Sequence, residues 1–160
     1  MSQFENIFEA AGKGTVEDVR FFVEKQGVSV QAKNNDGNTP LHWAIGNSRV
    51  EIAKFLVSQG ADVNAKNNDG CTPLFFAKNV DVANILVSQG ADVNAKKHDG
   101  FTPLHFASHA GRVEVAKCLV AAGADVNAKL KNGSDFTPLD FAQAKENTAM
   151  VQYLQSVGGR

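Results

Sequence analysis

His105 and His109 stand four residues apart, a spacing that sets two imidazoles on one face of a helix, and His98 and Cys118 lie in the same stretch. Those are the residue types of a zinc site. Such a site takes four groups converging on one point, however, and two histidines at helical spacing do not supply them. No metal and no cofactor is expected. Nucleophilic and phosphate chemistry fare no better, because the chain has neither a glycine-rich phosphate loop nor a nucleophile elbow. Asp62, Asp92 and Asp125 recur at one position of a repeated phrase, which marks them as scaffold. The chain is expected not to be an enzyme. Lys33, Lys66, Lys96 and Lys129 recur as well, but beside those aspartates, so the row is a solvated edge of mixed charge rather than a track for nucleic acid. A net charge of −1 and a pI of about 6.4 likewise give no electrostatic footprint for a polyanion or an anionic membrane.

The elements that would position any functional side chain are set by a recurring phrase. It is Asp99-Gly-Phe-Thr-Pro-Leu-His-Phe-Ala107, with counterparts Asp36-Gly-Asn-Thr-Pro-Leu-His-Trp-Ala44, Asp69-Gly-Cys-Thr-Pro-Leu-Phe-Phe-Ala77 and a looser Ser134-Asp-Phe-Thr-Pro-Leu-Asp-Phe-Ala142. Thr39, Thr72, Thr102 and Thr137 stand 33, 30 and 35 residues apart. Asp-Gly is a turn pair, since glycine tolerates positive φ and aspartate bonds its own backbone. The threonine is placed to cap a helix whose first residue is proline, where the missing N–H costs nothing. Leu104 and Ala107 then share one helix face, which a single helix pair cannot bury, so the units must stack.

In chain order, Phe4, Ile7, Phe8 and Ala11 fall at helical spacing after Ser2 and Glu5, a capping-box pair. Thr15 and Asp18 repeat that pair before a second helix through Val16, Val19, Phe22 and Val23. The resulting units are 1–33, an N-terminal cap without the Thr-Pro-Leu-His entry, then 34–66, 67–96, 97–129 and a polar-backed C-terminal cap at 130–160. The unit at 67–96 is three residues short between Ala77 and Val80; Asn79 can still cap its second helix, so the loss falls on the end of the first. The last unit has a finger two residues longer, over 130–135, and no Asp-Val-Asn-Ala-Lys follows Gly158, so the array is expected to close at both ends. Cys118 takes the place of Phe55 and is expected to be a core thiol; Cys71 follows a turn glycine and is expected at the surface. Unlike settings argue against a disulfide and fit a reducing compartment. Without a basic, apolar leader or a membrane-length apolar run, the expected address is cytoplasmic, or a host cell were the source an intracellular microbe.

Motif, period, caps and turn residues together resemble the ankyrin-repeat family over essentially the whole chain. The resemblance implies an all-α solenoid of five stacked helix–turn–helix units with β-hairpin fingers. It also implies a monomeric, non-enzymatic module that binds a partner protein, as yet unidentified, through a concave face. Neither nucleic acid nor membrane insertion is implied. The family's Thr-Pro-Leu-His histidine bonds backbone, which is the role expected of His42 and His105. Phe75 and Asp140 replace that histidine, which puts the hydrogen bonding of those two helix starts in question. Asn64, Asn94 and Asn127 are expected to bond the neighbouring turn. The resemblance also offers two other readings: an inhibitor of a kinase or other enzyme, after ankyrin inhibitors with one irregular first helix, and a substrate of an asparaginyl hydroxylase at those asparagines.

One column varies while its flanks do not, which leaves it free for recognition: Asn38, Cys71, Phe101 and Phe136, each just before the capping threonine. With Asn35, Asp36, Asp69, His98, His109 and Lys131 it forms the expected partner-binding surface. The rings Trp43, Phe76, Phe106 and Phe141, lying between the leucine and alanine of the buried face, are expected to be stacking core.

Overall fold

Most of the helices begin where a side-chain acceptor stands ready for the first free amides; the two that follow Arg49 and Arg112 do not. The computed structural model describes residues 3–131 and 135–160, which fall into two bodies, 1–91 and 92–160. In the first body α1 (Ile7–Lys13) opens on Asn6, whose side-chain oxygen accepts from Glu9 N at 2.9 Å. Helix is therefore absent at Phe4, because Asn6 takes the cap; the cap expected at Ser2 lies outside the described residues. The capping box of Thr15 and Asp18 starts α2 (Val16–Arg20), which loosens into one π-helical turn over Phe21–Lys25.

Then come α3 (Pro40–Gly46) and α4 (Val50–Ser58), a single 3-10 turn at Pro73–Phe76, and α5 (Val80–Ser88). The three missing residues have come out of the first helix of that unit, and Asn79 still accepts from Val82 N at 3.1 Å. Leu41, Ala44 and Ile45 of α3 are wholly buried. They share the core with Ile52, Ala53 and Leu56 of α4, Leu74, and Val82, Ala83 and Leu86 of α5. Here α1 packs on α3, α3 on the 3-10 turn and α4 on α5, so each unit covers the apolar face of the one before it.

The second body repeats the plan with α6 (Pro103–His109), α7 (Val113–Ala121), α8 (Pro138–Ala144) and α9 (Thr148–Ser156) around Leu104, Leu119, Leu139, Met150 and Leu154. No described helix is long and apolar enough to cross a membrane.

No strand occurs among the described residues, so the fingers are not β-hairpins in the strict sense. Each is one closed loop: Asn34 N donates to Asn38 O and Gly37 N to Asn34 O, with the same pairs at 67–71 and 97–101. A loop this short has no room for a ladder. Fingers of successive units touch closely enough to dictate glycine: at Gly37 (φ +76°) a Cβ would lie 2.5 Å from Asn68 Oδ1, and at Gly100 (φ +92°) 2.6 Å from Lys131 N. Away from the fingers, amide side chains bolt the units together as expected. Asn64 Nδ2 donates to Gly90 O, Asn94 Nδ2 to Gly123 O and Asn127 Nδ2 to Gly158 O at 3.0–3.1 Å; Gln31 does the same to Gly60 O.

Both thiols depart from expectation: Cys71 is 5% exposed rather than at the surface, and Cys118 is half-buried rather than fully in the core. Position after a turn glycine did not expose Cys71, because its N–H bonds Asn67 Oδ1 at its own finger and its carbonyl takes the His42 imidazole. It is therefore unavailable to a partner.

The four helix starts show what the replacements at 75 and 140 do. Nδ1 of His42 accepts from Thr39 N at 3.0 Å, and Nδ1 of His105 from Thr102 N at 3.1 Å. Asp140 supplies a carboxylate oxygen instead, bonded by Thr137 N at 2.7 Å and Thr137 Oγ1 at 2.9 Å, so that cap survives. The phenyl ring of Phe75 offers Thr72 no acceptor, and Thr72 Oγ1 is buried without a hydrogen-bond partner. An orphaned buried hydroxyl costs about 1–3 kcal/mol. Thr72→Val is accordingly expected to leave stability unchanged or raise it by about 1 kcal/mol, whereas Thr102→Val should lower it by about 1–2 kcal/mol. Urea midpoints of the two variants check this, and equal losses in both would show that Thr72 is capping after all.

Candidate functional site

The surface that could meet a partner rests on the buried histidines. Because Nδ1 of each accepts from a threonine N–H, Nε2 carries the proton and donates onward: from His42 to Cys71 O at 3.0 Å, and from His105 to Phe136 O at 3.4 Å. Each imidazole thus ties its own helix to the finger of the next unit. Both His105 nitrogens are engaged, so it has no lone pair to give a metal. Burial holds both rings below the usual histidine pKa; for His42 the Cys71 carbonyl opposes this and Lys33 adds to it, and for His105 the Phe136 and Ala128 carbonyls oppose it.

The unfolded chain therefore takes up these protons first. Stability is full above about pH 6.5 and is lost as pH falls from there through the depressed folded values, by up to about 1.4 kcal/mol per pH unit for each ring. Thermal melts between pH 7.5 and 5 should show this fall, and His42→Gln should flatten it. A profile unchanged by that substitution would assign the loss to other groups.

On this frame the second body carries a surface of rings. Phe101, His109 and Phe136 converge on Phe141, with ring centroids 5.1, 6.3 and 6.2 Å away, and Phe106 stands 5.8 Å from Phe101. Phe136 is 55% exposed and Phe101 half-buried. Phe101, His105, Phe106, His109 and Phe141 line a groove of about 240 Å³. Lys97 Nζ, paired with Asp99 at 2.9 Å, lies over both Phe101 and Phe106 at 5.4 and 5.9 Å, a cation–π placement. Burial alone would raise the Asp99 pKa, but bonds from Lys97 and Phe101 N outweigh it and hold the carboxyl below its usual value. His98 and Lys131 are exposed at the finger tips of this body.

In the first body the expected residues other than Cys71 are polar, and Asn38 lines a groove beside Trp43. Asn35, Asp36 and Asp69 are exposed at finger tips, where the carbonyls of Asn35 and Asp36 accept from Asn68. Asn38 is half-buried and accepts from Asn67 Nδ2 at 2.9 Å.

The ring column is where the sequence reading needs correction. Trp43 is 37% exposed, and Phe76, Phe106 and Phe141 are half-buried; all four line grooves rather than filling the core. The signal was present in the helical period. At 3.6 residues per turn Trp43 lies about 160° from Leu41, whereas Ala44 and Ile45 lie within about 60° of it.

A family model for ankyrin repeats, in three copies, matches residues 7–97 and 78–159. The ankyrin repeat domain-containing protein oryK of Aspergillus oryzae is 41% identical over 51 residues, which are 32% of this chain and 8% of that protein. The 26S proteasome non-ATPase regulatory subunit 10 of Dictyostelium discoideum is 33% identical over 52 residues, 32% of this chain and 22% of that protein. The matched stretches thus span less than a quarter of either relative. The family match covers nearly all of the chain and agrees with the capped helix pairs, the bonded fingers and the asparagine bolts, so the chain belongs to the ankyrin-repeat family.

Proposed function

We propose that this chain is a non-enzymatic module that binds a partner protein through the ring-lined face of residues 92–160. The family as a whole binds proteins. The observation that carries the reading here is Phe136, more than half exposed on top of the Phe101–Phe141 stack. Aromatic side chains so placed are the usual anchors of an interface. His98, His109 and Lys131 provide its polar rim; Asn35, Asp36, Asn38 and Asp69 are a further set of polar candidates, on the first body. Cys71, being buried, drops out. The module acts as a cytoplasmic monomer.

Phe136→Ser tests this with little risk to the fold, since a surface substitution moves stability by less than about 0.5 kcal/mol. Phe101→Ser, from a half-buried ring, should cost about 1–3 kcal/mol more than that. The Phe136→Ser chain is expected to melt like the parent and to lose at least tenfold in affinity for whatever the parent captures from a lysate of its source. Capture unchanged by Phe136→Ser would remove the ring face from the interface.

The single 3-10 turn at Pro73–Phe76 favours a narrower second reading, inhibition of a kinase or other enzyme by the same surface. That reading requires the captured partner to be an enzyme whose activity falls as the chain is added.

A further inference from the structure

Trp43 is the sole tryptophan of the chain and stands outside the ring face just described. Two cavities share it, with Asn47, as a common wall. One, of about 240 Å³, opens toward the 3-10 turn and is lined by His42, Gly46, Phe76 and Lys78; the other, of about 250 Å³, opens toward α1 and is lined by Phe8, Glu9, Gly12 and Lys13. Both α1 and the 3-10 turn pack on α3, so the cavities flank Trp43. The short third repeat ends its first helix at Phe76, which brings Phe76 and Lys78 onto the wall of the first cavity. Each is below the roughly 300–1,000 Å³ of a small-molecule pocket and suits one side chain.

Charge at the two cavities is unequal. Glu9 and Lys13 pair with each other at 3.3 Å, whereas Lys78 is exposed, makes no ion pair among the described residues, and has no carboxylate among the residues lining its cavity. We infer that the Trp43 groove binds an extended protein segment carrying two large apolar side chains two residues apart, one for each cavity, with an Asp or Glu beside the one that enters next to Lys78. Side chains two apart on an extended chain point the same way about 7 Å apart, the separation that leaves room for one indole between them. The acidic residue answers the free ammonium and selects the direction in which the segment lies. This groove shares no lining residue with the ring-lined groove of the second body, so either can fail without the other.

Gly46 provides the blocking variant. Its only close neighbour for an added Cβ is Phe76 Cβ at 3.6 Å, an ordinary contact, and its backbone is helical, so Gly46→Leu should fill the first cavity without straining the helix. A library of random twelve-residue peptides is selected on the whole chain, and the selected peptides are titrated while Trp43 emission is read. The expected result is a consensus of two large apolar residues two apart with a neighbouring acid and a shift in Trp43 emission. Gly46→Leu should then cost at least tenfold in affinity, and Lys78→Glu about fivefold for acidic peptides, while Phe136→Ser changes nothing. If Gly46→Leu lowers the melting temperature by more than a few degrees, Lys78→Glu, on an exposed side chain, decides alone. The inference is overturned if no peptide is selected, if those selected lack the pattern, or if the deciding variant binds them as the parent does.

Discussion

Leu104→Ala is expected to destabilise the chain by about 3–5 kcal/mol, the upper part of the range for a buried leucine. Leu104 is fully buried on α6, which packs on both α7 and α8, so the truncation opens a void shared by two successive units. A repeat array has no central core to redistribute the loss, because its stability is roughly a sum of unit and interface terms. Both interfaces of α6 are weakened together. The stability of a domain this size is itself only about 5–15 kcal/mol, so the variant should be visibly fragile. Urea unfolding followed by far-UV circular dichroism measures it. A change below about 0.5 kcal/mol would mean that the stacked face has been misassigned.

The second large effect is expected at His105, where His105→Ala should cost about 2–4 kcal/mol. The substitution leaves Thr102 N–H and Oγ1 without their acceptor at a buried helix start, and the part-buried Phe136 O of the next unit without its donor. Each orphaned group costs about 1–3 kcal/mol, relieved wherever water can enter. Since Phe136 belongs to the ring face, the same variant should loosen that finger and weaken partner capture without touching an exposed side chain. Hydrogen exchange at Thr102 and around residues 135–137 reads the local part, and urea unfolding reads the total. A loss below about 1 kcal/mol would reduce the imidazole to a space-filler. Phe75 is the natural control: that unit lacks the imidazole, keeps only one 3-10 turn and leaves Thr72 Oγ1 unsatisfied.

What the sequence by itself determined is the set of features that depend on near neighbours. The Thr15–Asp18 box, the Thr-Pro helix starts, the Asp-Gly turns and the Asn79 cap each involve residues no more than four apart. Their chemistry is therefore written in the string. Repetition extended that reach, since Asn64, Asn94 and Asn127 could be read together as one bolt used three times. Even the loss of a helical turn at Ala77 was legible, from the spacing of the units on either side.

Tertiary structure decided what several of the repeated positions face. Cys71 was placed at the surface by its turn, yet His42, 29 residues earlier, seals its carbonyl. Trp43 was placed in the core by its flanks. It lies instead on a groove wall, beside Phe76 and Lys78 of the next unit. At α1 the pattern offered a cap at Ser2, and the helix began instead on Asn6. Burial in a stacked array is fixed by residues about thirty positions away. A local pattern can therefore name a helix and its caps while leaving open which of its rings the neighbouring unit will cover.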